Sequence, residues 1–85
     1  MRVFIPSVLR CYTGSGDVVA QGDTLDAMLS DLDRRFPGLR FRIVDEQDRI
    51  RRHIRFFVNG EQTFDLGCRL DADAEIYIVQ ALSGG

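Results

Sequence analysis

The chain has 85 residues, 45% of them hydrophobic and 28% charged, with a net charge of −2. That is enough for one domain with a single core and too little for two. It contains no apolar run near the roughly 18 residues a membrane span needs, and it is too acidic overall for a protein that binds nucleic acid through bulk charge.

Two cysteines and one histidine are too few and too scattered for a zinc cluster. Cys11 and Cys68 belong to no CxxC spacing and read as free thiols of an intracellular protein, Cys11 partly buried, so a cytoplasmic location is expected. All 11 basic residues are arginine, so no side-chain amine is present for isopeptide polymers of the chain with itself.

Arg2-Val3-Phe4-Ile5 opens as a strand, rich in β-branched and aromatic residues, and Pro6 marks the place where pairing thins. Val8 and Leu9 are expected to resume pairing before the turn formers Thr13 to Asp17, with Val18 to Ala20 returning as the second arm of a hairpin. Gly14-x-Gly16 lacks the third glycine of a phosphate-binding loop and is followed by a strand rather than a helix, so it reads as hairpin loop.

Asp23 and Thr24 are candidate N-caps for an amphipathic helix whose core stripe is Leu25, Met28, Leu29, Leu32 and Phe36. Pro37-Gly38 ends it. Leu39, Phe41 and Ile43 alternate with arginines as in a strand, yet Leu39 and Ile43 are also spaced for a helical turn, and both readings stay open. The arginines of 40–55 are interleaved with Asp45, Glu46 and Asp48, which makes them a solvated mixed-charge face.

Ile54 to Asn59 is the clearest strand, with Ile54, Phe56 and Val58 on one face and Arg55 and Phe57 on the other. Asn59-Gly60 predicts a tight hairpin returning through Gln62, Thr63 and Phe64. Glu75 to Gln80 is apolar on both faces, Ile76 and Ile78 against Tyr77 and Val79, and belongs in the middle of a sheet. If Ile54, Phe56, Val58, Ile76 and Ile78 meet the helix, then Phe57, Tyr77 and Val79 form an apolar patch on the opposite face, of the kind that marks a partner site. A nucleophile pairing of His53 with Cys68 lacks a third, orienting group and is set aside.

These elements predict an α+β fold in which one main helix packs on one face of a mixed four- to five-stranded sheet. Residues 1–80 make the domain and 81–85 a flexible tail ending in Gly84-Gly85, a pair that background composition gives by chance roughly 0.5% of the time. Without Cβ atoms the two glycines are slender enough to thread into another protein's active site.

Ile5-Pro6, Leu9-Arg10 and Thr13-Gly14, then Gly22-Asp23-Thr24-Leu25, Val58-Asn59-Gly60-Glu61 and the final Ala81 to Gly85, resemble the MoaD/ThiS family of ubiquitin-like, β-grasp sulfur carriers, and within it the CysO type. The resemblance implies that a ubiquitin-activating-type adenylyltransferase and sulfurtransferase uses ATP and Mg to adenylate Gly85, after which sulfur displaces AMP to leave a thiocarboxylate. Leu82, Ser83 and Gly84 would thread the tunnel leading to that reaction. The chain itself would be a protein co-substrate, not an enzyme, with no cofactor of its own, because a free α-carboxylate with a pKa of about 3.5 is a poor electrophile until it is activated.

The resemblance further implies a sulfur-accepting partner, a PLP-dependent cysteine synthase acting in cysteine biosynthesis, with a metalloprotease releasing the product. The alternatives are the large subunit of molybdopterin synthase as acceptor, or a ubiquitin-like modifier role with conjugation through Gly85. Neither nucleic acid nor membrane is an expected partner.

Overall fold

The computed structural model describes residues 1–81. Five strands, β1 (Arg2–Phe4), β2 (Asp17–Val19), β3 (Ile54–Val58), β4 (Glu61–Thr63) and β5 (Glu75–Gln80), form one sheet in the order β2-β1-β5-β3-β4. β5 lies at the centre, parallel to β1 on one side and antiparallel to β3 on the other. The double apolar character of its sequence predicted that position.

The main helix, α2 (Leu25–Arg35), covers one face of the sheet. Thr24 adopts extended backbone angles and its hydroxyl accepts from the Ala27 N–H, satisfying one of the donors a helix start leaves free. Leu25, Met28, Leu29 and Leu32 are fully buried against Val3, Ile5, Ile54, Phe56, Ile76 and Ile78. Gly22 makes the close approach possible. Its φ of +146° is open to glycine, and a Cβ there would stand 2.5 Å from the Met28 nitrogen.

Two segments differ from the sequence expectation or resolve it. Residues 7–13 do not resume pairing: Ser7–Leu9 is a 3-10 turn that leads into α1 (Arg10–Thr13), which ends on Gly14 in the left-handed conformation. Pro6 starts this turn with its ring-fixed φ, and Leu9 drops into the core while Val8 points outward. The strand β1 still closes its hairpin with β2, antiparallel, so the insertion is an elaborated loop.

Residues 39–43 form α3 (Leu39–Ile43). Helical spacing wins because it buries both Leu39 and Ile43 and leaves Phe41 outside, 53% exposed, whereas alternation would have buried Phe41 with them. Asp45 to Asp48 is the expected surface turn; the Asp45 carboxylate accepts from the Gln47 and Arg49 backbone N–H groups, which with nearby arginines hold it below the usual carboxylate range. No helix among the described residues is long and apolar enough to cross a membrane.

Candidate docking face and tail root

The face of the sheet away from α2 carries the alternate side chains of every strand. In register across it run Val19 and Asp17 of β2, Arg2 and Phe4 of β1, Glu75 and Tyr77 of β5, Phe57 of β3 and Gln62 of β4. The Phe4 and Tyr77 rings stack with centroids 4.2 Å apart and planes 7° from parallel. Phe57 pairs with Tyr77 and is half-buried, while Tyr77 and Val79 are 41% and 40% exposed. The three patch residues named from alternation, Phe57, Tyr77 and Val79, therefore share one exposed face.

Phe4 and Phe64 extend that patch and were not expected there. The Arg2–Phe4 alternation against Val3–Ile5 was the available signal for Phe4; β4 ends at Thr63, and Phe64 follows it beside the Arg55 guanidinium, 5.6 Å from its ring centroid. At the other edge Arg2 sits 5.1 Å from the Phe4 centroid and donates to the Asp17 carboxylate at 2.7 Å, which raises the Arg2 pKa above its ordinary value. Cations over both outer rings frame the apolar patch.

β5 leads straight from this face to the tail. Just past its end the Ala81 N–H donates to the His53 carbonyl at 2.7 Å, the last such bond among the described residues. Leu82, Ser83, Gly84 and Gly85, the tail residues named from the sequence, lie outside the described residues.

Beside this root opens a cleft of about 560 Å³ lined by Val8, Leu9, Cys11, Tyr12, Phe41 and Arg42 together with Arg51, His53 and Gln80. Arg42 donates to the Tyr12 hydroxyl at 2.8 Å, and Arg51 to the Phe41 carbonyl at 2.7 Å. The expectation of a partly buried Cys11 is corrected: it is exposed, because the segment carrying it is helical and only Leu9 of that turn reaches the core. His53 lines this cleft, whereas Cys68 sits beside the start of α2, where its carbonyl accepts from the Leu25 N–H, so the structure does not bring the two together.

The chain as a whole matches a known group. The ThiS family model fits residues 3–85. The chain belongs to the ThiS family. This ThiS-family chain is 35% identical over 91 residues to the sulfur carrier protein CysO of Mycobacterium tuberculosis, an alignment spanning 100% of the chain and 98% of that protein.

Among solved structures, it is similar to a chain of the Amycolatopsis orientalis BexX/CysO complex, with a TM-score of 0.90, 31% identity and coverage of 99% and 98% of the two chains. It is also similar to SAMP1 of Haloferax volcanii, with a TM-score of 0.79, 28% identity and coverage of 100% and 98%. The fold is accordingly the ubiquitin-like β-grasp, with five strands and two short helices accompanying the main one.

Proposed function

We propose that this chain is a sulfur carrier whose Gly85 carboxylate is adenylated and then converted to a thiocarboxylate that donates its sulfur, in cysteine biosynthesis. The observation that carries the reading is the likeness to CysO along the whole chain. The ATP and Mg belong to a partner of the ubiquitin-activating type. What this chain contributes is a reactive end on a rigid base and a face for the partner to hold.

In this reading Phe57, Tyr77 and Val79, extended by Phe4 and Phe64, are the docking face. Aromatic side chains at the centre of such a patch supply most of the binding energy of typical interfaces. Docking next to the root lets the partner close around Leu82, Ser83 and Gly84 and keep water from the acyl adenylate and the thiocarboxylate, both of which hydrolyse. The acceptor is a PLP-dependent cysteine synthase, with a metalloprotease releasing the lengthened tail's product; molybdopterin synthase's large subunit is the alternative acceptor.

A modifier role, with Gly85 joined to lysines of target proteins, is the second reading, favoured by the similarity to SAMP1. The absence of lysine excludes chains of copies linked through side-chain amines, so copies would be joined to separate lysines of a target.

Intact mass of the protein isolated from its own cells tests the proposal: a fraction should be heavier by the difference between one sulfur and one oxygen atom. Ladders of the chain on other proteins, without that species, would replace it with the modifier reading. Gly84→Val is expected to fold as the parent does and to fail in ATP-dependent adenylation; normal turnover with the activating enzyme would refute threading of a slender end.

A further inference from the structure

The arginines divide into two groups by their partners. Arg2, Arg34, Arg35, Arg40 and Arg49 each have a carboxylate within 4 Å. Arg10, Arg42, Arg51, Arg52, Arg55 and Arg69 have none among the described residues; Arg10 donates to the Ile5 carbonyl and Arg69 lies opposite Thr24 at the start of α2, while the other four gather where β5 gives way to the tail. Arg42 and Arg51 line the cleft beside Gln80; Arg51 and Arg52 line a second depression of about 490 Å³ on the other side of His53. Arg55 stands opposite Val79 in the β3–β5 register.

The acidic charge lies at the far end. Glu75 opens β5, Asp71 and Asp73 occupy the turn before it, and Glu61 starts β4 at the hairpin; none has an ion-pair partner among the described residues. β5 is 6 residues long, so the two ends are separated by about 20 Å. A chain that is slightly acidic in total is thus polarised along its central strand, with the excess of unpaired positive charge at the tail end; Arg2, opposite Glu75, and Arg69 offset part of the negative charge at the other end.

Fixing unpaired guanidinium groups side by side does not help the fold, since like charges repel. Their hydrogen bonds go to neutral groups: the Tyr12 hydroxyl for Arg42, the Phe41 carbonyl for Arg51, and the Arg52 and Ile54 carbonyls for Arg55. Those bonds orient the side chains without pairing them; Asp45, which shares the second depression, is within Coulomb range of Arg51 but is ion-paired with Arg49, so positive charge remains in excess at this end. Guanidinium groups held in this way are matched to carboxylates, which they bind through paired N–H donors. The cleft between them has an apolar lining of Val8, Leu9 and Phe41, which admits an uncharged side chain between acidic neighbours.

We propose that Arg42, Arg51, Arg52 and Arg55 form a basic collar that steers the carrier, tail first, onto an enzyme whose active-site mouth is rimmed with carboxylates. This rests on the carrier reading and adds the charge of the partner surface. Attraction at the root and repulsion at the acidic pole turn the molecule during approach, so the productive end arrives first. Such steering raises association rates and fades with salt.

The test measures the association rate of the full chain with the adenylyltransferase purified from the same cells, by stopped flow at low and at physiological salt. The parent's rate should fall about tenfold or more between the two. At low salt, the double variant Arg51→Glu with Arg52→Glu should associate at about a tenth of the parent rate, while Asp71→Asn with Asp73→Asn should stay within about twofold of it or run faster. Because Arg51 also contacts Phe41, Arg52→Glu alone serves as the check on folding, since its side chain makes no bond among the described residues; it should still slow association about threefold.

A rate indifferent to salt and to these reversals overturns the collar. So does preferential capture of single-stranded DNA by the parent chain, abolished by the double reversal, which would assign the charge to nucleic acid. If the chain is adenylated but the collar variants associate normally, only this inference falls. If the parent is never adenylated, the carrier reading falls with it.

Discussion

On the helix side of the sheet Val3, Ile54, Phe56 and Ile76 are wholly excluded from solvent; on the other side Phe4 and Phe57 are half-buried, and Tyr77 and Val79 stay open. Tyr77 and Val79 alternate with Ile76 and Ile78 in a single strand, so composition does not separate the two surfaces. What separates them is a neighbour: α2 lays Leu25, Met28, Leu29 and Leu32 over one, and no helix among the described residues covers the other. An apolar surface that the described residues leave uncovered, next to the root of the tail, is what the proposed docking of a partner draws on.

Three substitutions break or sharpen that contrast. Phe56→Ala removes the largest fully buried side chain and leaves a void beneath α2, so urea unfolding should show a loss of about 3–5 kcal/mol; a loss below about 1 kcal/mol would mean the covered side is not the core. Gly22→Ala attacks the device that brings α2 down, because its Cβ would collide with the Met28 nitrogen at a backbone angle alanine resists. The expected cost is about 2 kcal/mol by the same measurement, and an unchanged midpoint would show that the helix settles without that close approach.

The smallest effect on stability, about 1 kcal/mol, is expected for Tyr77→Ala, which loses the stacking on Phe4 but opens no interior void. Its effect should appear instead in partner affinity, weakened tenfold or more in titration calorimetry with the activating enzyme. If Tyr77→Ala unfolds the protein and leaves affinity intact, the open side is structural and the contrast fails.

Much of this was legible from local pattern. Alternation placed Phe57, Tyr77 and Val79 together, the Asn59-Gly60 pair fixed the β3–β4 turn, and Thr24 with its apolar stripe marked α2. Residues 7–13 misled because Val8-Leu9 is too short a run to show a period, and Pro6, read as a gap in pairing, and Gly14, read as hairpin loop, instead bracket a helical turn. At 39–43 two periods fitted equally well, and burial of Leu39 with Ile43 decided between them. Phe4 joined the patch only through the parallel β1–β5 pairing, a contact between residues more than 70 positions apart. The grouping of arginines by unmet charge was hidden for the same reason, since it depends on which carboxylates the fold brings near.

The placement of β5 also sets how the molecule responds to force. Hydrogen bonds from β1 and β3 run across the direction of β5, so a pull along that strand loads them together rather than one after another. Force applied along β5 therefore drags the whole domain as a solid handle, where an edge strand would peel away.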